Sequence, residues 1–170
     1  NAGKTTLIVD LVRELTRRGW RVGTIKHAHH SFDIDHPGKD SYLHREAGAT
    51  EVIVASASRW AHIRELADQP PASLEELLSH MGPLDLVLVE GWKHGSHPRL
   101  EVRRSEAPAP PLAANDAAVL AIVSDVPLPD ERCPVLLRND LPAIADFILR
   151  AVGAPSCGSA FRRDPRISKK

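Results

Sequence analysis

The sequence has few aromatic residues, few cysteines and no excess charge of either sign. Phe, Trp and Tyr make up only 4% of its 170 residues, which leaves few rings for stacking on single-stranded nucleic acid. Its 22 Lys and Arg residues balance its 22 Asp and Glu residues, so charge gives no support for a nucleic-acid partner. The two cysteines, Cys133 and Cys157, form neither a metal-type pair nor a disulfide framework.

Long apolar runs are absent as well, since none approaches the ~20 residues of a membrane span. Hydrophobic residues make up 42% and charged residues 26% of the chain, as in ordinary globular proteins. We therefore expect a cytoplasmic protein with no membrane and no nucleic-acid partner. One domain is predicted over residues 1–152. Residues 153–170 are small and basic without a periodic apolar face, so we expect this tail to be disordered.

The chain begins with residues that match the end of a phosphate-binding loop. The P-loop pattern, G-x-x-x-x-G-K-S/T, lies between a buried strand and a helix. Its final positions are matched by Gly3, Lys4 and Thr5, followed by Thr6. The first glycine of the motif and its strand would then lie before Asn1. An amphipathic helix pattern, a glycine stop at Gly19 and a short strand at residues 21–26 follow. This context favours a true phosphate loop over a chance match on a surface helix.

The residues of this motif predict a nucleotide and magnesium site. Backbone N–H groups at a glycine-rich turn and a helix N-terminus bind anions. In a P-loop, Lys4 would reach the β- and γ-phosphates and the Thr5 hydroxyl would bind Mg²⁺. Glu90 follows the apolar run "LDLVLV", at the strand end where nucleoside triphosphatases place an acidic residue. The alternative is a carboxylate that merely leaves the sheet there; the following Gly91 favours the functional role.

A polar stretch over residues 27–45 is rich in histidine and aspartate. It contains His27, His29, His30, His36 and His44, with Asp33, Asp35 and Asp40. Imidazole suits Zn and Ni, so this stretch could be a transition-metal site. A loop that senses phosphate and Mg²⁺, or a simple polar loop, fits it equally. The H-x-H-H spacing does not decide among these three.

Asp125 follows the apolar run "AVLAIVS" and is a candidate for base recognition. A carboxylate there could accept hydrogen bonds from N1–H and N2–H of guanine. No Asn-Lys pair precedes it, so a turn aspartate before Pro127 remains an equal alternative.

Strand and helix patterns alternate along the chain, which predicts an α/β fold with a mostly parallel sheet flanked by helices. Strands are expected at residues 50–56, 59–66, 84–91, 118–124 and 134–138. Helices are expected at residues 40–47, 74–81 and 139–152 in addition to the first one. With the phosphate motif, this pattern indicates a P-loop NTPase-like fold whose first strand would precede Asn1.

Together these stretches resemble the molybdopterin-guanine dinucleotide biosynthesis adapter proteins, the MobB family. The resemblance extends to about residue 150 and is carried by "GKTTL", "IKHAHH", "FDIDHPGKDSYLHREAGA", "LDLVLVEGWKH" and "AIVSDVPL". It implies a GTP-binding homodimer that assists the guanylyltransferase MobA and has weak GTPase activity. It further implies molybdopterin and molybdoenzyme-assembly proteins as partners.

The resemblance also assigns roles to individual residues. It implies that Thr5, Asp40 and Glu90 share Mg²⁺ and that Lys26 contacts phosphate. The expected nucleotide-binding residues are Gly3, Lys4, Thr5, Thr6, Lys26 and Asp125. No tightly bound transition metal is expected. The competing interpretations are a metal-insertion GTPase, which the histidines favour, and a small-molecule P-loop kinase.

Overall fold

The computed structural model of the chain describes residues 3–28, 32–92, 95–106 and 111–154. Within these ranges the helices are α1 (Lys4–Arg17), α2 (Asp40–Glu46), α3 (Leu74–Ser79) and α4 (Leu141–Ala151). The strands are β1 (Val22–Lys26), β2 (Glu51–Ala55), β3 (Trp60–Arg64), β4 (Leu86–Glu90), β5 (Arg99–Arg103), β6 (Val119–Ser124) and β7 (Val135–Leu137). The tail predicted to be disordered lies outside the described residues from position 155 on.

The chain divides into two compact units. The first is formed by the residues up to Lys26 together with those from Leu84 onward, and the second by His27–Pro83. In the first unit, β1 pairs with β4 in parallel, and β5, β6 and β7 form a parallel sheet in that order. The prediction of an α/β fold with parallel strands is confirmed. Because parallel strands end at a common edge, residues after these strands are brought towards one another.

The core of the first unit lies between α1, α4 and the strands. Leucines at every fourth position place one apolar face of α1 against the core. The buried cluster consists of Leu7, Leu11, Leu15, Val123, Ile144, Ala145, Ile148 and Leu149. Leu86 and Leu88 of β4 and Leu100 and Val102 of β5 pack against it half-buried. Helix α1 is therefore fixed by burial, and its N-terminus is fixed with it.

The second unit contains α2, α3 and an antiparallel hairpin of β2 and β3. Ser73 caps α3, because its hydroxyl accepts the backbone N–H of Glu76 at 3.1 Å. Val52 and Leu74 are buried, whereas Ile53 and Trp60 of the hairpin are exposed. In the ranges that the structure describes, no helix of either unit has the length and apolar character needed to cross a membrane.

Candidate functional site

The N-terminus of α1 is open to a ligand. Gly3 is its N-cap residue and has φ 69° and ψ 19°, a left-handed conformation that glycine adopts without strain. It offers no side-chain cap, and the first turn of α1 has no acidic residue. By contrast, Ser73 caps α3 and Asp140 caps α4. The backbone N–H groups of Lys4, Thr5 and Thr6 form the first turn of α1. They are not capped by a side chain of the described residues, so they remain available to an anion.

Thr5 and Glu90 lie in direct contact although 85 positions separate them. The Thr5 hydroxyl donates a hydrogen bond to Oε1 of Glu90 at 2.7 Å. Glu90 is the last residue of β4, and Gly91 follows at φ 84°, where other residues would be strained. A hydroxyl and a carboxylate are hard oxygen ligands of the kind that Mg²⁺ prefers. This pair thus fits the magnesium role predicted for it.

Lys26 lies at the same strand edge as Glu90. It is the last residue of β1, and it is paired in register with Glu90 across the two parallel strands. Thr5, Lys26 and Glu90 together line a cleft of about 480 Å³, with the apolar side chains of Ile8 and Val12 on α1. The structure therefore brings three of the predicted site residues to one cleft.

Asp125 follows β6 and is bonded to the turn after β5. The backbone N–H of Ser105 donates to its Oδ1 at 3.1 Å, and the Ser105 hydroxyl donates to Oδ2 at 3.2 Å. The bond from the backbone N–H lowers the pKa of Asp125 below its ordinary value, so the ionised acceptor form is favoured. Each carboxylate oxygen has a second lone pair. The contact to guanine remains a prediction.

Two arginines near Gly3 escaped the sequence-based prediction. Arg138 follows β7, and its Nη1 donates to the Gly3 carbonyl at 3.2 Å. Arg104 follows β5, and a Cβ built on Gly3 would lie 3.1 Å from its Nε. The signal that could have found them is their place after parallel strands, because ligands bind outside the carboxyl ends of such strands.

Asp40 belongs to the second unit, where it is the exposed first residue of α2. On the same helix, Arg45 contacts Asp33 at 3.0 Å, Glu65 at 2.7 Å and Asp35 at 3.4 Å. These ion pairs fasten the aspartate-rich stretch to α2 and to the residue after β3. The magnesium role of Asp40 remains a prediction.

The metal interpretation of the histidine-rich stretch rests partly on His29 and His30, which lie outside the described residues. Among the residues that are described, no group of three or more His, Cys, Asp or Glu side chains is arranged to hold a metal ion. The absence of a tightly bound transition metal remains a prediction.

The chain is similar to known proteins over most of its length. A family model described as "MobB: Molybdopterin guanine dinucleotide synthesis protein B" matches residues 1–125. The molybdopterin-guanine dinucleotide biosynthesis adapter protein of Escherichia coli (strain K12) is 45% identical over 150 residues, which are 86% of this chain and 85% of that protein. The protein of the same name from Haemophilus influenzae is 42% identical over 149 residues, covering 86% and 82%.

A solved structure shows the same fold. The X-ray crystal structure of a MobB protein homolog from Bacillus stearothermophilus aligns with a TM-score of 0.65 and 28% identity, covering 90% of this chain and 92% of that one. The Bacillus subtilis MobB crystal structure aligns with a TM-score of 0.69 and covers 89% and 91%. These structures confirm the P-loop NTPase-like fold.

Proposed function

The chain belongs to the MobB family of molybdopterin-guanine dinucleotide biosynthesis adapter proteins, and we propose that it acts there by binding GTP with Mg²⁺. The observation that carries this proposal is the contact between Thr5 and Glu90 beside the uncapped N-terminus of α1. It joins the last residue of a phosphate motif to a carboxylate at a parallel strand end. Such a pairing of hydroxyl and acid is how P-loop proteins hold the metal of a bound nucleotide.

In this proposal the nucleotide is held at both of its ends. The N–H groups at the start of α1 and the ammonium of Lys4 bind the phosphates, and the exposed Lys26 adds a further positive charge. Gly3 adopts the left-handed conformation that begins α1, and Thr6 supplies another first-turn N–H. Asp125 accepts hydrogen bonds from guanine with the lone pairs that Ser105 leaves free.

Thr5 and Glu90 would hold Mg²⁺, with Asp40 as the further ligand that the family resemblance implies. When bound, the ion neutralises part of the phosphate charge. The protein's own contribution is to keep the Thr5 hydroxyl and the Glu90 carboxylate together through the burial of α1.

The adapter role implies partners and a location. We propose that the chain works as a homodimer in the cytoplasm and assists the guanylyltransferase MobA. Weak GTP hydrolysis would accompany this role without being its purpose. Molybdopterin and molybdoenzyme-assembly proteins are the further partners that it would meet. No tightly bound transition metal is part of the proposal.

Glu90→Gln tests the proposal by titration calorimetry with GTP in the presence and absence of Mg²⁺. The variant should bind GTP like the wild type without metal but should lose the gain in affinity that Mg²⁺ provides, because an amide is a weaker ligand than a carboxylate. Asp85→Asn is the matched control, since Asp85 lies just before the amino end of the same strand, paired with Arg21. If Mg²⁺ strengthens GTP binding equally in Glu90→Gln and in the wild type, Glu90 has only a structural role.

Asp40→Asn extends this test to the Mg²⁺ ligand that only the family resemblance supports. The variant should reduce the gain in GTP affinity that Mg²⁺ provides, as Glu90→Gln does.

Metal analysis of the purified protein decides the competing interpretation. Near-stoichiometric Ni or Zn that is lost in a His29→Ala, His30→Ala double variant would favour a metal-insertion GTPase.

A further inference from the structure

Arg104 and Arg138 reach the same glycine from two strands of the parallel sheet. Arg138 donates to the Gly3 carbonyl at 3.2 Å, and the Arg104 guanidinium covers the position of the missing Gly3 side chain. Both arginines are half-buried. Two positive charges are therefore held beside the glycine that precedes the first turn of α1.

Neither guanidinium forms an ion pair in the described part of the chain, where no carboxylate oxygen lies within 4.0 Å of either. The nearest acidic influence is that of Asp125, whose pKa is lowered mainly by the Ser105 backbone N–H and, to a smaller extent, by the charge of Arg104. Most other arginines of the described residues do form ion pairs, namely Arg13, Arg17, Arg18, Arg21, Arg45, Arg64, Arg99 and Arg103. In the described residues, no nitrogen of either guanidinium is a fully buried atom without a hydrogen-bond partner, so their unbonded donors face solvent. The two arginines at Gly3 thus form a site that an anion would complete, with charge-assisted hydrogen bonds that suit phosphate oxygens.

The turn that carries Arg104 is held in place. Ser105, the next residue, donates to both carboxylate oxygens of Asp125. These two hydrogen bonds join the turn after β5 to the end of β6, so the backbone at Arg104 is held in place. A fixed backbone reduces the entropy that the side chain loses when it binds a ligand.

We propose that Arg104 and Arg138 bind the phosphate groups of the nucleotide, in addition to Lys4 and the α1 N-terminus. The inference rests on the proposed GTP site and extends it to two strands that the phosphate motif does not include. Arg104 approaches Gly3 through its guanidinium alone and is mainly a ligand contact. Arg138 also supports the left-handed conformation of Gly3 through the carbonyl that it bonds.

Binding of GTP, GMP, guanosine and inorganic triphosphate to the full-length protein tests this proposal. Arg104→Ala should weaken the binding of GTP and of triphosphate by about ten-fold or more, weaken GMP less, and leave guanosine unchanged. Arg104→Lys should restore part of the loss, because a single charge remains without the planar fork of donors. Arg138→Ala should act in the same direction and should also lower the melting temperature.

Arg132→Ala is the matched control, because Arg132 is exposed and lies before the amino end of β7. It should bind all four probes like the wild type. The proposal is overturned if Arg104→Ala binds triphosphate as the wild type does, or if it weakens guanosine as much as GTP. If the wild type binds triphosphate but does not bind GTP, the proposed function is overturned while the anion site is supported. A wild type that binds neither probe would overturn both.

Discussion

Two groups of arginines, one in each unit of the chain, have different surroundings. In the second unit, Arg45 contacts three carboxylates and Arg64 contacts Glu51 and Glu76. In the first unit, Arg104 and Arg138 have no carboxylate within 4.0 Å among the described residues, although both are half-buried. The contrast does not extend to the whole first unit, because Arg18 and Arg21 there are paired with acidic residues.

This difference distinguishes arginines that stabilise the fold through ion pairs from arginines whose charge is available to a ligand. An arginine surrounded by carboxylates has its donors occupied, so its removal should affect the local structure. An arginine without a carboxylate beside an open helix N-terminus keeps donors for an incoming anion. Unpaired, half-buried cations at the carboxyl edge of a parallel sheet are therefore a sign of the ligand site.

Lys4→Ala should have the largest effect among the changes that test this contrast. Losing a charged donor to phosphate should weaken GTP binding by about 1.5–3 kcal/mol, which calorimetry measures directly. Arg17→Ala is the control on the same helix, because Arg17 lies in its last turn, largely exposed, and pairs with Glu14. Equal GTP affinity in Lys4→Ala and in the wild type would show that the motif does not bind phosphate.

The sequence was sufficient to locate the described helices and strands to within a few residues, except for β5 (Arg99–Arg103), where no strand was predicted. The apolar run at residues 84–91 became β4 (Leu86–Glu90), and the pattern at residues 40–47 became α2 (Asp40–Glu46). The first segment is a continuous apolar run, half-buried throughout, and the second is followed by the glycine stop at Gly48. Local sequence therefore located both, although α2 buries none of its residues. The proximity of Thr5 and Glu90 could also be predicted from the sequence, because the phosphate motif and the parallel strands together bring those two positions to one edge of the sheet.

The contacts of Arg104, Arg138 and Ser105 could not be predicted in the same way. They join residues in turns, which have no periodic pattern, to positions as far as 135 residues away. They depend on the order of β5, β6 and β7 in the sheet, and the sequence does not specify that order. Likewise, the pattern located Asp125 after a strand but gave no indication that Ser105 would occupy both of its oxygens.

Arg45→Ala should have a smaller effect, confined to the second unit. The change removes the contacts to Asp33, Asp35 and Glu65, so the backbone of residues 32–46 should exchange its amide hydrogens faster. GTP affinity without Mg²⁺ should stay close to that of the wild type, because the lost donors were already occupied. Amide hydrogen exchange and calorimetry measure the two effects.

Arg59→Ala is the control for this change, because Arg59 is exposed in the turn of the hairpin. It should leave the exchange of residues 32–46 unaltered. A loss of metal-free GTP affinity in Arg45→Ala as large as that in Arg104→Ala would remove the distinction between paired and unpaired arginines.

Lowering the pH should produce the smallest effect. It protonates Asp33, a partner of Arg45, and so tests the ion pairs of Arg45 without a mutation. The backbone N–H of Asp35 and then the Arg45 guanidinium lower the pKa of Asp33 below its usual value. A carboxyl group with a lowered folded-state pKa stabilises the fold fully above its unfolded pKa, and this stabilisation is lost as the pH falls through the folded pKa. Residues 32–46 should therefore loosen below about pH 4, while guanidinium groups keep their charge throughout that range.

A carboxyl NMR titration of Asp33 measures this directly. In Arg45→Ala its pKa should rise only part of the way towards the usual value, because the bond from the Asp35 backbone N–H, the larger cause, remains. Arg59→Ala should leave the titration unaltered. If the pKa of Asp33 does not change in Arg45→Ala, Arg45 does not hold this stretch in solution. Arg45 could then no longer serve as the ion-paired arginine with which the arginines at Gly3 are compared.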